Sequence, residues 1–232
     1  MASPAAQLLH AARLACIRMA ILHAATLTPT KAEIITRWLT AQSWAPTSDE
    51  MVDLIGSYRL DDPEGEVGME AHLVRSAGEL LHVPLTYRSG PLSGADDHLL
   101  GNTEHSVLGE RWVYDGLGDP VFTRMLAAAA MTGCGQAISM VERGGRWVLL
   151  PTQVRLSGGG WNDERVALDG FAPEADEANW AVLRNDRFEL RVARRPEPGG
   201  QPPIGLTGTW PGQNEPVILA EVRERTTGRL PA

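Results

Sequence analysis

Lysine is nearly missing from this chain: of its 21 basic residues, only Lys31 is a lysine. That scarcity excludes several chemistries. A phosphate-cradling loop of the Gly-Lys-[Ser/Thr] kind needs glycines before its lysine, and Lys31 follows Thr30 with no such loop. A Schiff-base or phosphate-holding lysine could only be Lys31. Cysteine is as scarce: Cys16 and Cys134 form neither a metal-ligand spacing nor a disulfide framework, and they read as free thiols in a reducing cytoplasm. Basic excess is also lacking. The formal charge of -8 argues against a nucleic-acid partner or an anionic membrane surface. No run of 18 apolar residues exists, so no membrane span is expected. Histidine stops at His105. No metal-binding or cofactor signature stands out, and none is expected.

What is present is globular. Hydrophobic residues make up 43% and charged residues 22%, and 232 residues are enough to bury a core as one domain or two small ones. The wealth of glycine, proline and alanine reads as a GC-rich bacterial coding bias. Residues 1–27 are apolar, but Arg13, Arg18 and His23 interrupt any signal-peptide core and no charged segment precedes it. Met19 offers a second start, so 1–18 are read as an upstream extension and the chain as cytoplasmic.

Period-2 and period-3.6 patterns then divide the chain. Thr28-Pro29-Thr30 supplies a cap for a helix over Lys31–Gln42, whose Ile34, Ile35, Trp38 and Leu39 share one face. Glu50–Ile55 is either a short helical turn or the first strand. Asp61, Asp62, Glu64 and Glu66 form an acidic turn without calcium-loop spacing, read as solvated. Val67–Val74 and Leu81–Tyr87 alternate as an antiparallel hairpin about Ser76–Glu79. Pro84 cannot donate to a ladder, which predicts an edge or a bulge for the second strand. A polar knot, 102–106, leads to the aromatic strand Arg111–Tyr114. Asp119-Pro120 then opens a helix that Gly133 ends. Gly133–Gln136 marks a boundary. Beyond it strands are expected at Arg146–Leu150, Gln153–Leu156, Trp180–Arg184, Arg187–Arg194 and Pro216–Val222. Ser157–Gly160, Pro196–Pro203 and Gly208–Gly212 read as loops.

Candidate sites compete with structural readings. Glu104 and His105, followed by Ser106, are weak candidates for an acid/base pair, but neighbours in an extended strand face opposite ways, so a hydrogen-bonded brace is preferred. His72 or His82 on a neighbouring strand is the other route by which Glu104 would gain a partner. Seven tryptophans invite sugar stacking. Trp161 and Trp210 are the candidates because each adjoins a glycine-rich stretch, with core packing as the competing role. Glu66, Glu70 and Glu104 would suffice for a carboxylate-only glycosidase if folding set two of them about 5–9 Å apart.

Taken together, Trp38–Trp44, Val83–Arg88, Leu100–Thr103 and Val113–Pro120 resemble the N-terminal cap domain of actinobacterial maltokinases, and most closely a stand-alone cap-like family in those bacteria. Leu206–Gly212 and Pro216–Ala220 resemble that stand-alone family as well. The resemblance covers 19–136 and leaves 137–232 as a β-rich C-terminal half. It implies an α+β fold, a curved antiparallel sheet flanked by helices, and a setting in trehalose, maltose and α-glucan metabolism. Maltokinases carry their chemistry in a C-terminal lobe with a catalytic-loop Asp near a His and a metal-binding Asp motif. Nothing after residue 136 resembles either motif. The expectation is a non-catalytic accessory module that binds a kinase-like or α-glucan-acting enzyme, or a glucan, through a sheet edge at the Pro84 strand. The alternative is a carbohydrate-active enzyme, or a phosphotransferase component working with a separate catalytic subunit.

Overall fold

Alternating apolar and polar residues dominate the chain, and in the computed structural model they form three sheets and two α-helices among the described residues, 19–22, 25–133, 135–160, 167–177 and 179–225. The extension expected at 1–18, both cysteines and Trp161 lie outside those residues. The first sheet contains β2 (Leu27–Thr28), β3 (Asp53–Leu60), β4 (Gly68–Ser76), β5 (Glu79–Arg88), β6 (Leu99–His105) and β7 (Gly109–Asp115). Its order is β2-β6-β7-β5-β4-β3, with every neighbouring pair antiparallel. Glu50–Ile55 thus leads into strand, not helix. The β4–β5 hairpin closes on Ser76 and Glu79, and Ala77 and Gly78 between them have φ of 47° and 83°. Two positive φ values are those of a type I′ turn, whose twist suits a hairpin.

Each face of this sheet meets one helix. The Thr30 side chain caps α1 (Lys31–Leu39) by accepting from Glu33 N, and the Glu33 carboxylate accepts from Thr30 N at 2.7 Å. This capping box starts the helix where the Thr-Pro-Thr signal predicts. Ile34, Ile35 and Leu39 pack on Val74, Leu81, Val83, Leu85 and Val113. On the other face, α2 (Pro120–Thr132) starts at the Asp119 cap and stops at left-handed Gly133. Its Phe122 and Leu126 join Met69, Ala71 and Leu73 of β4 and the second sheet in the larger core cluster, which draws on both halves of the chain.

The second sheet runs β10 (Arg155–Gly158), β14 (Gly205–Trp210), β15 (Gln213–Glu224), β13 (Phe188–Ala193), β12 (Trp180–Arg184) and β11 (Ala172–Glu177), all antiparallel. A third sheet holds β1 (Met19–Leu22) parallel to β8 (Ile138–Arg143), with β9 (Arg146–Leu149) antiparallel beyond it.

Three expectations need correction. The curved antiparallel sheet is present, curled as a half-barrel, but the architecture is mostly β, and two helices among the described residues flank it only thinly. The glycine-rich stretch at 208–212 is largely strand. A Cβ at Gly208 would lie 2.9 Å from Leu219 Cδ1, so glycine there serves close packing rather than a loop. The Pro84 strand is not an edge: β5 lies between β4 and β7, with no register shift against either. Proline is tolerated because pairing with β7 begins only at Leu85. Earlier on that flank, His82 N donates to Arg194 O at 3.0 Å.

Candidate functional site

The register of the first sheet gathers four polar side chains on the face that carries α1. Arg59 of β3 pairs with Glu70 of β4, Gly68 with Tyr87 of β5, and Tyr87 with Val113 of β7. Period-2 alternation puts Arg111 on the same face as Val113. Lys31, the first residue of α1, reaches the same place. These groups line a cleft of about 850 Å³ that is also bordered by Met19, Leu22, Leu27, Leu108, Val141 and Leu150.

Glu70 is the buried centre of this cluster. Its Oε2 accepts from Lys31 Nζ at 2.5 Å and Arg59 Nη2 at 2.6 Å, and its Oε1 accepts from Ser57 Oγ at 2.9 Å. Burial alone would raise its pKa. Attraction to His72 (once it is protonated in acid), Arg59 and Lys31 and the Lys31 hydrogen bond outweigh that, holding the carboxyl well below the usual carboxylate range. Beneath it, burial lowers the pKa of His72 to about 4 despite the pull of Glu70, so the imidazole is neutral near neutral pH. Its Nε2 lies 3.8 Å from Glu70 Oε2 and finds no hydrogen-bond partner among the described residues. The Tyr87 hydroxyl is also buried without a partner among them, and burial, then Glu70, push its pKa well up. Arg111 donates from Nη2 to Leu108 O at 2.7 Å, while its Nε is buried and unpartnered.

The acidic turn borders the same cleft. Asp62 is buried, and its carboxylate accepts from the backbone N–H groups of Glu64, Glu66 and Val67 at 3.0–3.1 Å. It braces the turn, where a solvated carboxylate was expected. No group of three or more His, Cys, Asp or Glu among the described residues is placed to hold a metal ion.

The structure separates the residues singled out in the sequence. Glu104 and His105 are consecutive on β6, and extended geometry turns them to opposite faces. Glu104 is exposed opposite Glu110. His105 borders the cleft, its Nδ1 accepting from Val107 N at 3.2 Å and Leu108 N at 3.1 Å. Around them the Ser106 hydroxyl accepts from Thr26 N, and the Thr103 hydroxyl donates to Pro29 O. Glu66 and Glu70 line the cleft, whereas Glu104 is not among its lining residues. Trp210 ends β14, half-buried against the larger core and away from the cleft lining. His82 lies on the opposite face. Its Nδ1–H donates to Ala193 O at 3.0 Å, which leaves Nε2 to accept from the Tyr58 hydroxyl at 2.9 Å.

Sequence reasoning missed the Lys31–Glu70–Arg59 cluster. The available signal was a charge in mid-strand: Glu70 stands in a run whose neighbours, Met69 and Ala71, are both core.

Five consecutive strands, β3 to β7, carry the floor of the cleft, and this block has a counterpart among known families. Residues 38–119 match the maltokinase N-terminal cap domain. The cap match runs from the end of α1 to the cap of α2, about a third of the chain, and contains Arg59, Glu70, Tyr87 and Arg111. Lys31, β1 and β8, which complete the cleft, fall outside it. No curated protein matches the chain.

Proposed function

We propose that the chain is a non-catalytic, cap-related accessory module of trehalose, maltose and α-glucan metabolism, working in the cytoplasm by docking on a kinase-like or α-glucan-acting enzyme. The observation that carries this reading is the third sheet. Its outer strand, β9, is exposed at all four residues, with Trp147 at 54% and Leu149 at 63%. Met19 of β1 and Ile138 of β8 add exposed apolar surface on the same sheet. An apolar edge strand of this kind is a template for association, and tryptophan is a frequent interface anchor. The cap match supplies the kind of partner, since a cap belongs beside a catalytic lobe.

The chemistry of the cleft supports a binding role. General acid–base catalysis needs a group whose pKa lies near the working pH. Glu70 is held ionised by its cations and His72 neutral by burial, so neither is poised to exchange a proton near pH 7. Membrane insertion contributes nothing to the proposal: no helix among the described residues is long and apolar enough to cross a bilayer.

The test is affinity capture from an extract of the source organism, with bound proteins identified by mass spectrometry. The parent chain should enrich a kinase-like or α-glucan-acting enzyme. The Trp147→Ser/Leu149→Ser variant, shown to be folded by circular dichroism, should lose that enzyme by about 30-fold, the scale of removing an interface anchor. Equal capture by both chains, or no carbohydrate-active enzyme with either, would overturn the docking reading. ATP-dependent phosphorylation of maltose by the purified chain would overturn the non-catalytic one.

A further inference from the structure

We infer that the cleft over Glu70 takes a small ligand bearing one anionic group, a carboxylate or a phosphate monoester, whose oxygens lie between Lys31, Arg59 and Arg111 and accept the Tyr87 hydroxyl. This goes beyond the docking role and does not depend on it.

Hydrogen-bonding capacity points this way. Both oxygens of Glu70 are already occupied by Lys31, Arg59 and Ser57. Donors, by contrast, are left over. An ammonium has three N–H groups and a guanidinium five, and only one contact each from Lys31 and Arg59 goes to Glu70. Arg111 Nε and the Tyr87 hydroxyl are buried in the cleft lining with no partner among the described residues. Leaving such groups unpaired is unfavourable, and a native fold that keeps two of them in one cleft is arranged for something that pairs them. Four cations, Lys31, Arg59, Arg111 and Arg143, line the cleft. Of its carboxylates, Glu70 is already occupied and Asp62 is taken up by the backbone of its own turn, so the spare donors call for an acceptor from a ligand, and beside these cations an anionic one is favoured.

The acidic part of the lining narrows the class. Asp61, Asp62 and Glu66 line the same cleft, so a ligand with several negative groups would meet repulsion there. One anionic group attached to a neutral body avoids it. The volume lies within the range of small-molecule sites, and the apolar walls at Leu22, Leu27 and Val141 can cover such a body.

Thermal unfolding of the full chain tests this with two probes, inorganic phosphate and D-gluconate, each against sodium chloride at matched ionic strength. At a tenfold excess over its Kd, a bound probe should raise Tm by about 3–6 °C in a chain of this size. A rise with phosphate alone assigns a phosphate ligand and a rise with gluconate alone a carboxylate; both support the inference. Two variants separate a binding role from a structural one. Tyr87→Phe keeps the ring and removes an unpaired buried hydroxyl, so the ligand-free chain should be as stable as the parent or more so, while probe affinity falls several-fold. Arg111→Gln should lower affinity about tenfold, as expected for a charged hydrogen bond. The inference fails if neither probe exceeds the chloride control, or if both variants respond as the parent does.

Discussion

Arg194 offers the sharpest check on how the two six-stranded sheets are joined. It follows β13 directly, and its guanidinium meets the carboxylate of Asp115 at the end of β7 in a two-pronged ion pair, Nη1 to Oδ1 at 3.2 Å and Nη2 to Oδ2 closer still. The same guanidinium lies 4.9 Å from the Trp44 ring centre and 5.6 Å from that of Trp38. Both charged side chains are about 5% exposed. Arg194→Met keeps the apolar stem but leaves Asp115 buried without its cation. Removing one partner of a buried pair costs about 3–5 kcal/mol. A pocket of about 310 Å³ borders both residues and admits solvent, which places the expectation at the lower end, about 3 kcal/mol. Tm should then fall by about 6–12 °C. The double variant Asp115→Asn/Arg194→Met should recover most of the loss, because no charge is left stranded and Asn still offers an acceptor to Leu117 N, which Asp115 now caps. Urea unfolding followed by fluorescence provides the assay, with an unchanged m-value as the sign that only stability moved. An Arg194→Met chain within about 1 kcal/mol of the parent would refute the reasoning, since a buried orphan carboxylate cannot cost so little.

Two further outcomes follow from the same structure. Burial lowers the pKa of His72 and of His82 from 6.5 to about 4, so the unfolded chain binds more protons between those values; stability should be full above about pH 6.5 and decline as pH falls towards 4, by about 2 kcal/mol per histidine at pH 5, and urea midpoints that stay flat from pH 7 to 5 would contradict this. Ala77→Asn should stabilise the β4–β5 hairpin by about 0.5–1 kcal/mol, because asparagine tolerates the left-handed backbone that alanine adopts at φ 47°; a drop in Tm would show that the turn has another geometry.

Local signals carried the first half of the chain well. The Thr30 and Asp119 caps, the Gly133 stop and the β4–β5 alternation each depend on residues within a few positions, and sequence shows those directly. What it hid was set by distant partners. Pro84 reads as an edge because a missing N–H is a local fact, whereas the flank it faces is decided by where β7 turns away, thirty positions on. The glycines near Trp210 read as a loop because composition does not show that Leu219 presses against Gly208. The Glu70 cluster joins residues 31, 59, 70, 87 and 111, and no spacing rule brings those together before the sheet register is known.

The way the fold uses its buried carboxylates separates structure from function. Asp119 is fully buried and pairs with Arg88, but it also caps α2 through Val121 N. Asp115 pairs with Arg194 and also caps the 3₁₀ turn at Gly116–Gly118 through Leu117 N. Asp62 accepts three backbone N–H groups of its own turn. In each case the cost of burying a charge is offset by backbone donors that need an acceptor at that spot, which is a structural purpose complete in itself. Glu70 is different. Among the described residues it accepts from no backbone group; its partners there are Ser57 and the side chains of Lys31 and Arg59. An apolar residue there would have spared the desolvation of three charges and packed beside Met69 and Ala71 at no loss of backbone pairing. A carboxylate kept at that position holds two cations at the floor of a cleft, side by side and aimed where a bare pair would repel. The Tyr87 hydroxyl and Arg111 Nε in the same cleft lining, buried without a partner among the described residues, have no structural purpose of that kind either, and pairing them is what the inferred ligand would do.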